Sequence, residues 1–479
     1  MKKIRTFAAN MKKIRFDVRY HVLLPLVVVA TVVLWCIPTN ALGIPGLTEL
    51  QQRTMAIFLY AALMWMFEII PAWATSVTTI VGLIFAVSDR GFIKASDGTA
   101  VDYKEILASF ADPIIMLFLG GFVLAIAANK VGLDKFLARS VLRIFGSRPR
   151  IMLLGILLVN GIFSMFMSNT ATAAMLLAFL TPLLARLPDG DGTKAAWVLA
   201  IPVAANLGGL GTPIGTPPNA IAIGQLAQSG IEVGFGSWML HMVPYVIVML
   251  VISWGILIWL YPMSDERVSL DIEVPTEFGR DFWIVAVVFP LTIGLWITSE
   301  WTHIDSNVVA MIPFAIFAVL GIFKSEDFSR IEWHVLWMVA GGFALGHCLN
   351  DTGLANVLVK AIPFAEWSTL ILMLGAGLII YMLSTFISNS SAANLLMPML
   401  AVVATSMNEQ MAAVGGTANM LVFVALSCSL AMTLPISTPP NALACSSGLV
   451  QTRDMVKVGL IIGVVGAVLG FFWLKVFPF

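Results

Sequence analysis

The chain has 479 residues, of which 59% are hydrophobic and only 11% charged, and its 27 Lys and Arg balance 27 Asp and Glu. A soluble protein of ordinary composition carries about a quarter charged residues; apolar runs of about 18 residues or more mark membrane-crossing helices instead. The neutral balance excludes a nucleic-acid footprint, five scattered histidines show no metal-ligand spacing, and four cysteines (Cys36, Cys348, Cys428, Cys445) without a CxxC pair read as buried free thiols.

In chain order, segment 1–20 is basic and precedes an apolar run over 21–37. It resembles a signal peptide, but without a clear small-x-small cleavage site it reads as a retained first helix. Spans follow near 52–70, 72–88 and 112–130. The apolar segment from about 151 to 187 then carries Ser168-Asn169-Thr170 near its middle. At about 1.5 Å per residue one helix of that length overshoots a hydrocarbon core of about 30 Å. Two half-helices meeting at a polar tip fit, which is a re-entrant hairpin, and such a tip must be buried in protein or line a wet cavity.

Beyond the hairpin, span 197–226 is interrupted twice, by Asn206-Leu207-Gly208-Gly209-Leu210-Gly211-Thr212-Pro213 and by Gly215-Thr216-Pro217-Pro218-Asn219. Further spans lie near 238–261, 283–299, 306–323 and 333–350. A second long segment, from about 367 to 407, carries Ser388-Asn389-Ser390. Span 412–447 is broken by Thr433-Leu434-Pro435-Ile436-Ser437-Thr438-Pro439-Pro440-Asn441, and 456–477 ends the chain. The expected fold is an all-α integral membrane protein with about eleven transmembrane helices and two re-entrant hairpins.

The chain repeats itself. Gly120-Gly121-Phe122 recurs as Gly341-Gly342-Phe343 and Gly132-Leu133 as Gly353-Leu354. Ser164 with its tip recurs as Ser384 with its tip, and the Thr216–Asn219 TPPN as Thr438–Asn441, all in one order at nearly one offset. Five crossings between the hairpins make the repeats inverted, which puts a transported solute and its coupling ions at the repeat interface. With the N-terminus inside, cytoplasmic segments hold 21 of the 27 Lys and Arg. That bias orients the chain N-inside and C-outside, in a cytoplasmic membrane.

Glycine and proline loosen a helix and free carbonyls, which are costly in hydrocarbon unless something binds them. Those carbonyls, with Ser, Thr and Asn oxygens, suit a hard cation such as sodium, while half-helix N-termini suit an anion. One Ser-Asn-Thr alone would be read as a helix-packing group and one Pro or Gly as a kink; duplication of tip and break together argues for a site. Glu68 reads as an interfacial or loop-capping carboxylate rather than a proton carrier, and His347 and Asn350 as helix-packing groups. Trp35, Trp65, Trp301 and Trp333 read as an aromatic belt.

At these motifs the sequence resembles the divalent anion–sodium symporter family of di- and tricarboxylate transporters, over essentially the whole chain. The resemblance implies a homodimer and an elevator mechanism. Scaffold helices would occupy 21–130 and 231–350, transport elements 131–230 and 351–450, with a cytoplasmic segment 1–20 and a C-terminal helix 451–479. One Na+ site would use Ser164, Ser168, Asn169 and a carbonyl near Gly211; the other Ser384, Asn389, the Ile387 carbonyl and one near Thr433. Ser168, Asn169 and Thr170 of one tip and Ser388, Asn389 and Ser390 of the other would meet the carboxylates, with Pro213 and Pro435 nearby. Ser390 departs from the family's usual Thr, keeping the hydroxyl and losing a methyl.

The function read from this is sodium-coupled uptake of a C4-dicarboxylate such as succinate, malate or fumarate. The rivals are sodium-independent dicarboxylate exchange and a citrate or sulfate carrier. An intramembrane enzyme lacks a metal motif, paired membrane acids or a catalytic domain, and a channel does not need inverted repeats with broken helices.

Overall fold

The computed structural model describes residues 18–96, 98–185, 187, 192–263, 278–361 and 367–479. Most of the basic N-terminal segment and of the loop 262–282 lies outside them. Among the described residues the chain is helical, with one isolated bridge between Ser88 and Val101. The helices are α1 (Arg19–Cys36), α2 (Glu49–Phe67), α3 (Ala72–Val87), α4 (Pro113–Val131) and α5 (Leu133–Ile144). Hairpin one follows as α6 (Pro149–Phe166) and α7 (Asn169–Leu184), then a broken pair α8 (Gly192–Gly209) and α9 (Pro217–Gln228). Next come α10 (Phe235–Leu260), α11 (Arg280–Ile297), α12 (Ser306–Val319), α13 (Trp333–Asp351) and α14 (Leu354–Ala361). Hairpin two is α15 (Thr369–Phe386) and α16 (Asn389–Ser406). A second broken pair, α17 (Gly416–Leu430) and α18 (Pro439–Ser446), precedes α19 (Thr452–Val476).

The run α2–α10 therefore recurs as α11–α19. The odd number of crossings between the hairpins inverts one run relative to the other. Seven described helices are long and apolar enough to cross a membrane; four others, α3, α7, α12 and α17, are shorter apolar helices of 10–17 residues. Their outward faces stay apolar, as Leu378, Ile379 and Met382 on α15 illustrate, which is the surface hydrocarbon requires.

The repeats are laced together by equivalent contacts. Helix α4 packs on α12 while its counterpart α13 packs on α3; α7 packs on α18 while α16 packs on α9. The duplicated Gly-Gly-Phe explains the first pair. A Cβ on Gly120 would lie 2.2 Å from the Ala310 carbonyl oxygen of α12, and one on Gly341 would lie 2.3 Å from the Ser76 Cβ of α3. Small residues let helix backbones touch where no hydrophobic effect drives them together.

The basic segment 130–150, between two spans, contains α5, whose Leu133, Asp134, Ala138 and Leu142 are buried along one side while Lys135 and Arg143 are exposed. Two expectations are corrected. Trp65 is not part of a belt: it is fully buried and donates its indole N–H to the Ala72 carbonyl at 3.2 Å, closing the α2–α3 turn. Of the four free cysteines only Cys348 and Cys428 are buried: Cys36 is exposed at the end of α1, which packs chiefly on α2, and Cys445 on α18 is half-buried.

The glycine contacts give a test. Gly120→Ala should lower the detergent melting temperature by the equivalent of about 1–3 kcal/mol, an overpacking cost. Gly255→Ala, with nothing within 4 Å of its Cβ, should leave it unchanged or raise it slightly. Equal melting of both variants would contradict the close approach of α4 and α12.

Candidate functional site: a cavity at four helix N-termini

The two hairpin tips have nearly the same backbone. Met167 is extended (φ −129°, ψ 159°) and Ser168 caps α7, accepting from the Ala171 N–H at 3.2 Å. Ile387 (φ −120°, ψ 169°) and Ser388, accepting from Ser391 N–H at 3.2 Å, repeat this at α16. The second halves of the broken helices also start alike, from extended Thr216 (φ −152°) and Thr438 (φ −143°), each followed by proline at the first helical position. A proline there forgoes an N–H that would have had no helical partner anyway.

All four of these starts line one cavity of about 370 Å³, through Ser168-Asn169-Thr170, Thr216-Pro217, Ser388-Asn389-Ser390 and Thr438-Pro439-Pro440. Each helix N-terminus acts as roughly half a positive charge, so the cavity attracts anions although neither Lys nor Arg lines it. Its wall continues past Trp73, Glu332 and His334, and it adjoins a smaller recess reaching Asn129 and Arg330.

Behind each tip lies a cluster of oxygens. Ser164 Oγ donates to the Ala205 carbonyl at 2.8 Å, and the Asn169 side chain sits against Ser164 Oγ and the carbonyls of Ala205 and Gly215. With its nitrogen turned to them, Asn169 donates to Ala205 at 3.2 Å and Gly215 at 3.1 Å. At the second tip Ser384 Oγ bridges Asn389 Oδ1 (2.7 Å) and the Cys428 carbonyl (3.1 Å). An all-oxygen donor set of this kind fits a hard cation such as sodium.

Most of the expected residues are brought together here, with differences in detail. Ser164, Ser168, Asn169, Thr170, Ser384, Ser388, Asn389 and Ser390 surround the cavity or its oxygen clusters. Gly211 instead backs on Met165, and the carbonyls recorded beside Asn169 are those of Ala205 and Gly215. Pro213 and Pro435 are not among the cavity residues; Pro217, Pro439 and Pro440 are. Buried Ile387 adjoins the second tip, and Thr433 shares a hydrogen bond with the Tyr381 hydroxyl at 3.3 Å.

The sequence reading missed what the TPPN asparagines do. Asn219 Nδ2 donates to the Gly209 and Thr212 carbonyls (2.9 and 2.8 Å), and Asn441 Nδ2 to those of Met432 and Leu434 (2.8 and 2.9 Å). Each amide thus binds the carbonyls that its own helix break has freed. Asn206 Nδ2 then crosses between repeats to Thr438 Oγ1 and Asn441 Oδ1, both at 3.2 Å. The duplicated motif was the available signal. Glu68 also does more than cap a loop: its Oε1 accepts from the Ser388 N–H at 3.0 Å, joining the α2–α3 turn to the second tip.

Inverted repeats, paired hairpins and broken helices around a central cavity lined by helix N-termini are the build of a secondary transporter, not an enzyme. The chain belongs to the citrate transporter family, of the divalent anion–sodium symporter type: that family's profile matches residues 62–416. It is 30% identical over 449 residues to an uncharacterised transporter of Haemophilus influenzae, covering 88% of this chain and 92% of that one. It is also 30% identical over 451 residues to the sodium-dependent dicarboxylate transporter SdcS of Staphylococcus saprophyticus, covering 86% and 83%. In fold it is similar to the YdaH transporter of Alcanivorax borkumensis (TM-score 0.56, 14% identity, 79% of this chain and 88% of that one).

Replacing Asn441 by Ala strands two buried carbonyls, each costing about 1–3 kcal/mol. Asn441→Ala and Asn219→Ala should each melt clearly below the parent protein in detergent. Unchanged melting would mean the breaks are held by something other than these amides.

Proposed function

We propose that this protein is a sodium-coupled symporter of C4-dicarboxylates working by an elevator movement. The observation that carries the proposal is the convergence of four helix N-termini on one cavity with an oxygen cluster behind each hairpin tip. A dicarboxylate would hold its two carboxylates at the α7 and α16 ends, against Asn169 and Thr170 on one side and Asn389 and Ser390 on the other. The cations behind the tips would be held by Ser164 and Asn169 with the Ala205 and Gly215 carbonyls, and by Ser384 and Asn389 with that of Cys428. Their charge would fix the tips in the geometry that binds the anion, which couples the two solutes. Support comes from SdcS, named as a sodium-dependent dicarboxylate transporter, and the family description keeps citrate as the second reading.

In the N-inside orientation that the basic segments favour, Trp73, Glu332 and His334 stand at the cytoplasmic side, and the cavity opens inward. Two inversely oriented repeats give the protein a second, outward-open arrangement of the same contacts. The hairpins and broken helices would move as one body in each protomer of a homodimer against α2–α4 and α11–α13.

The test is uptake of radiolabelled succinate into proteoliposomes with and without an inward sodium gradient. Sodium-driven accumulation is expected. Uptake that ignores sodium and requires internal dicarboxylate would replace symport by exchange, and competition by citrate stronger than by succinate would shift the substrate. Asn169→Ala and Asn389→Ala should each reduce uptake at least about a hundredfold, since each removes a ligand shared by cation and anion, while the protein still purifies folded. Near-normal uptake in both would remove the site assignment.

A further inference from the structure

We propose that Glu105, His347 and Asp351 form a binding site for a divalent transition metal, zinc foremost, at the end of α13 remote from the anion cavity. His347 and Asp351 are four residues apart on α13 and so share one face of it. Glu105 arrives from a short helix, Tyr103–Ala108, in the connection between α3 and α4. Glu105 Oε2 lies 3.1 Å and Asp351 Oδ2 3.2 Å from the same atom, His347 Nε2, and all three ligand atoms lie within 4.8 Å of one another.

One imidazole nitrogen carries at most one hydrogen, so Nε2 cannot serve both carboxylates as a donor. A cation set between the three atoms serves all of them. Among the described residues neither carboxylate forms an ion pair with Lys or Arg, so the His347 ring is the basic group that both face. One nitrogen and two carboxylate oxygens suit zinc, which leaves a position for water, better than magnesium, which prefers oxygen alone.

The site is open and held in shape. The side chains of Glu105, His347 and Asp351 are 56%, 26% and 38% exposed, enough for an ion to enter from solution. The arm bearing Glu105 is anchored on α13 below the cluster. Ile106 is fully buried, and Phe110 stacks on Trp337 with ring centroids 4.2 Å apart. Helix α13 spans about 27 Å from Trp333 to Asp351 at the standard rise, with His334 at the cavity wall. The metal site and the anion cavity are therefore separate. Histidine spacing along the sequence could not reveal it, because the third ligand is 242 residues from His347.

The experiment is calorimetric titration of zinc chloride into full-length, tag-free protein in detergent, with zinc-dependent melting as a second readout. One zinc per chain is expected, with a rise in melting temperature. His347→Ala and Asp351→Asn should each weaken binding about tenfold or more, since even outer-shell changes cost that much. Glu105→Gln, on the surface, should weaken it without altering the melting temperature in the absence of metal. Magnesium chloride should give no comparable heat, and Cys36→Ser, a control for the exposed thiol, should bind zinc as the parent does. Absence of zinc binding, parent-like binding by His347→Ala and Glu105→Gln, or loss of binding in Cys36→Ser would overturn the assignment.

Discussion

The structure depends on a conflict between anions and hydrocarbon. A fixed lysine or arginine at mid-membrane is costly, yet an anion carried across would need positive potential there. The chain answers with backbone dipoles: four helices begin at the same cavity, which requires that two spans double back and two others break. Every break frees backbone groups that no membrane can hydrate. Asn219 and Asn441 bind the carbonyls of the broken helices, while Ser168 and Ser388 cap the second arm of each hairpin at its tip. The Gly-Gly pairs, the TPPN motifs and the serine tips are thus parts of one solution.

The equivalent pairings of α7 with α18 and α16 with α9 have a mechanical meaning. The second arm of each hairpin rests on the broken helix of the opposite repeat, and Asn206 reaches Thr438 and Asn441 across the same boundary. Neither tip can shift without loading elements of the other half. The contact of Glu68 with the Ser388 N–H is of another kind, a single hydrogen bond from an exposed turn. Glu68 holds a left-handed backbone (φ 44°, ψ 45°) unusual for a residue with a side chain, and this aims its carboxylate at the tip.

Much of this was legible in the sequence because duplication marks it: the hairpins, their tips, the broken spans and the inverted arrangement all follow from motifs that occur twice. What stayed hidden lacks a local signature. Which carbonyl approaches Asn169 depends on how the chain coils through a break, so Ala205 and Gly215 could not be told from Gly211. TPPN reads as four turn-forming residues until the asparagine is seen reaching back to its own break. Helix α5 was masked by its basic residues, which weigh in the count of cytoplasmic charge although they leave one side of the helix apolar. Trp65 follows the aromatic-belt pattern by position and departs from it because the next turn folds over its indole.

A cavity that draws anions by dipoles has no formal charge of its own at the helix ends. When it is empty, the four helix ends present the membrane field with neutral side chains only, and the carboxylate on the wall, Glu332, precedes α13. In the proposed elevator movement, carrying those helix ends through the bilayer unloaded would transfer no formal charge at the helix ends themselves. An electrical signature of turnover would then belong chiefly to the solutes carried, and the current per cycle would read cargo stoichiometry.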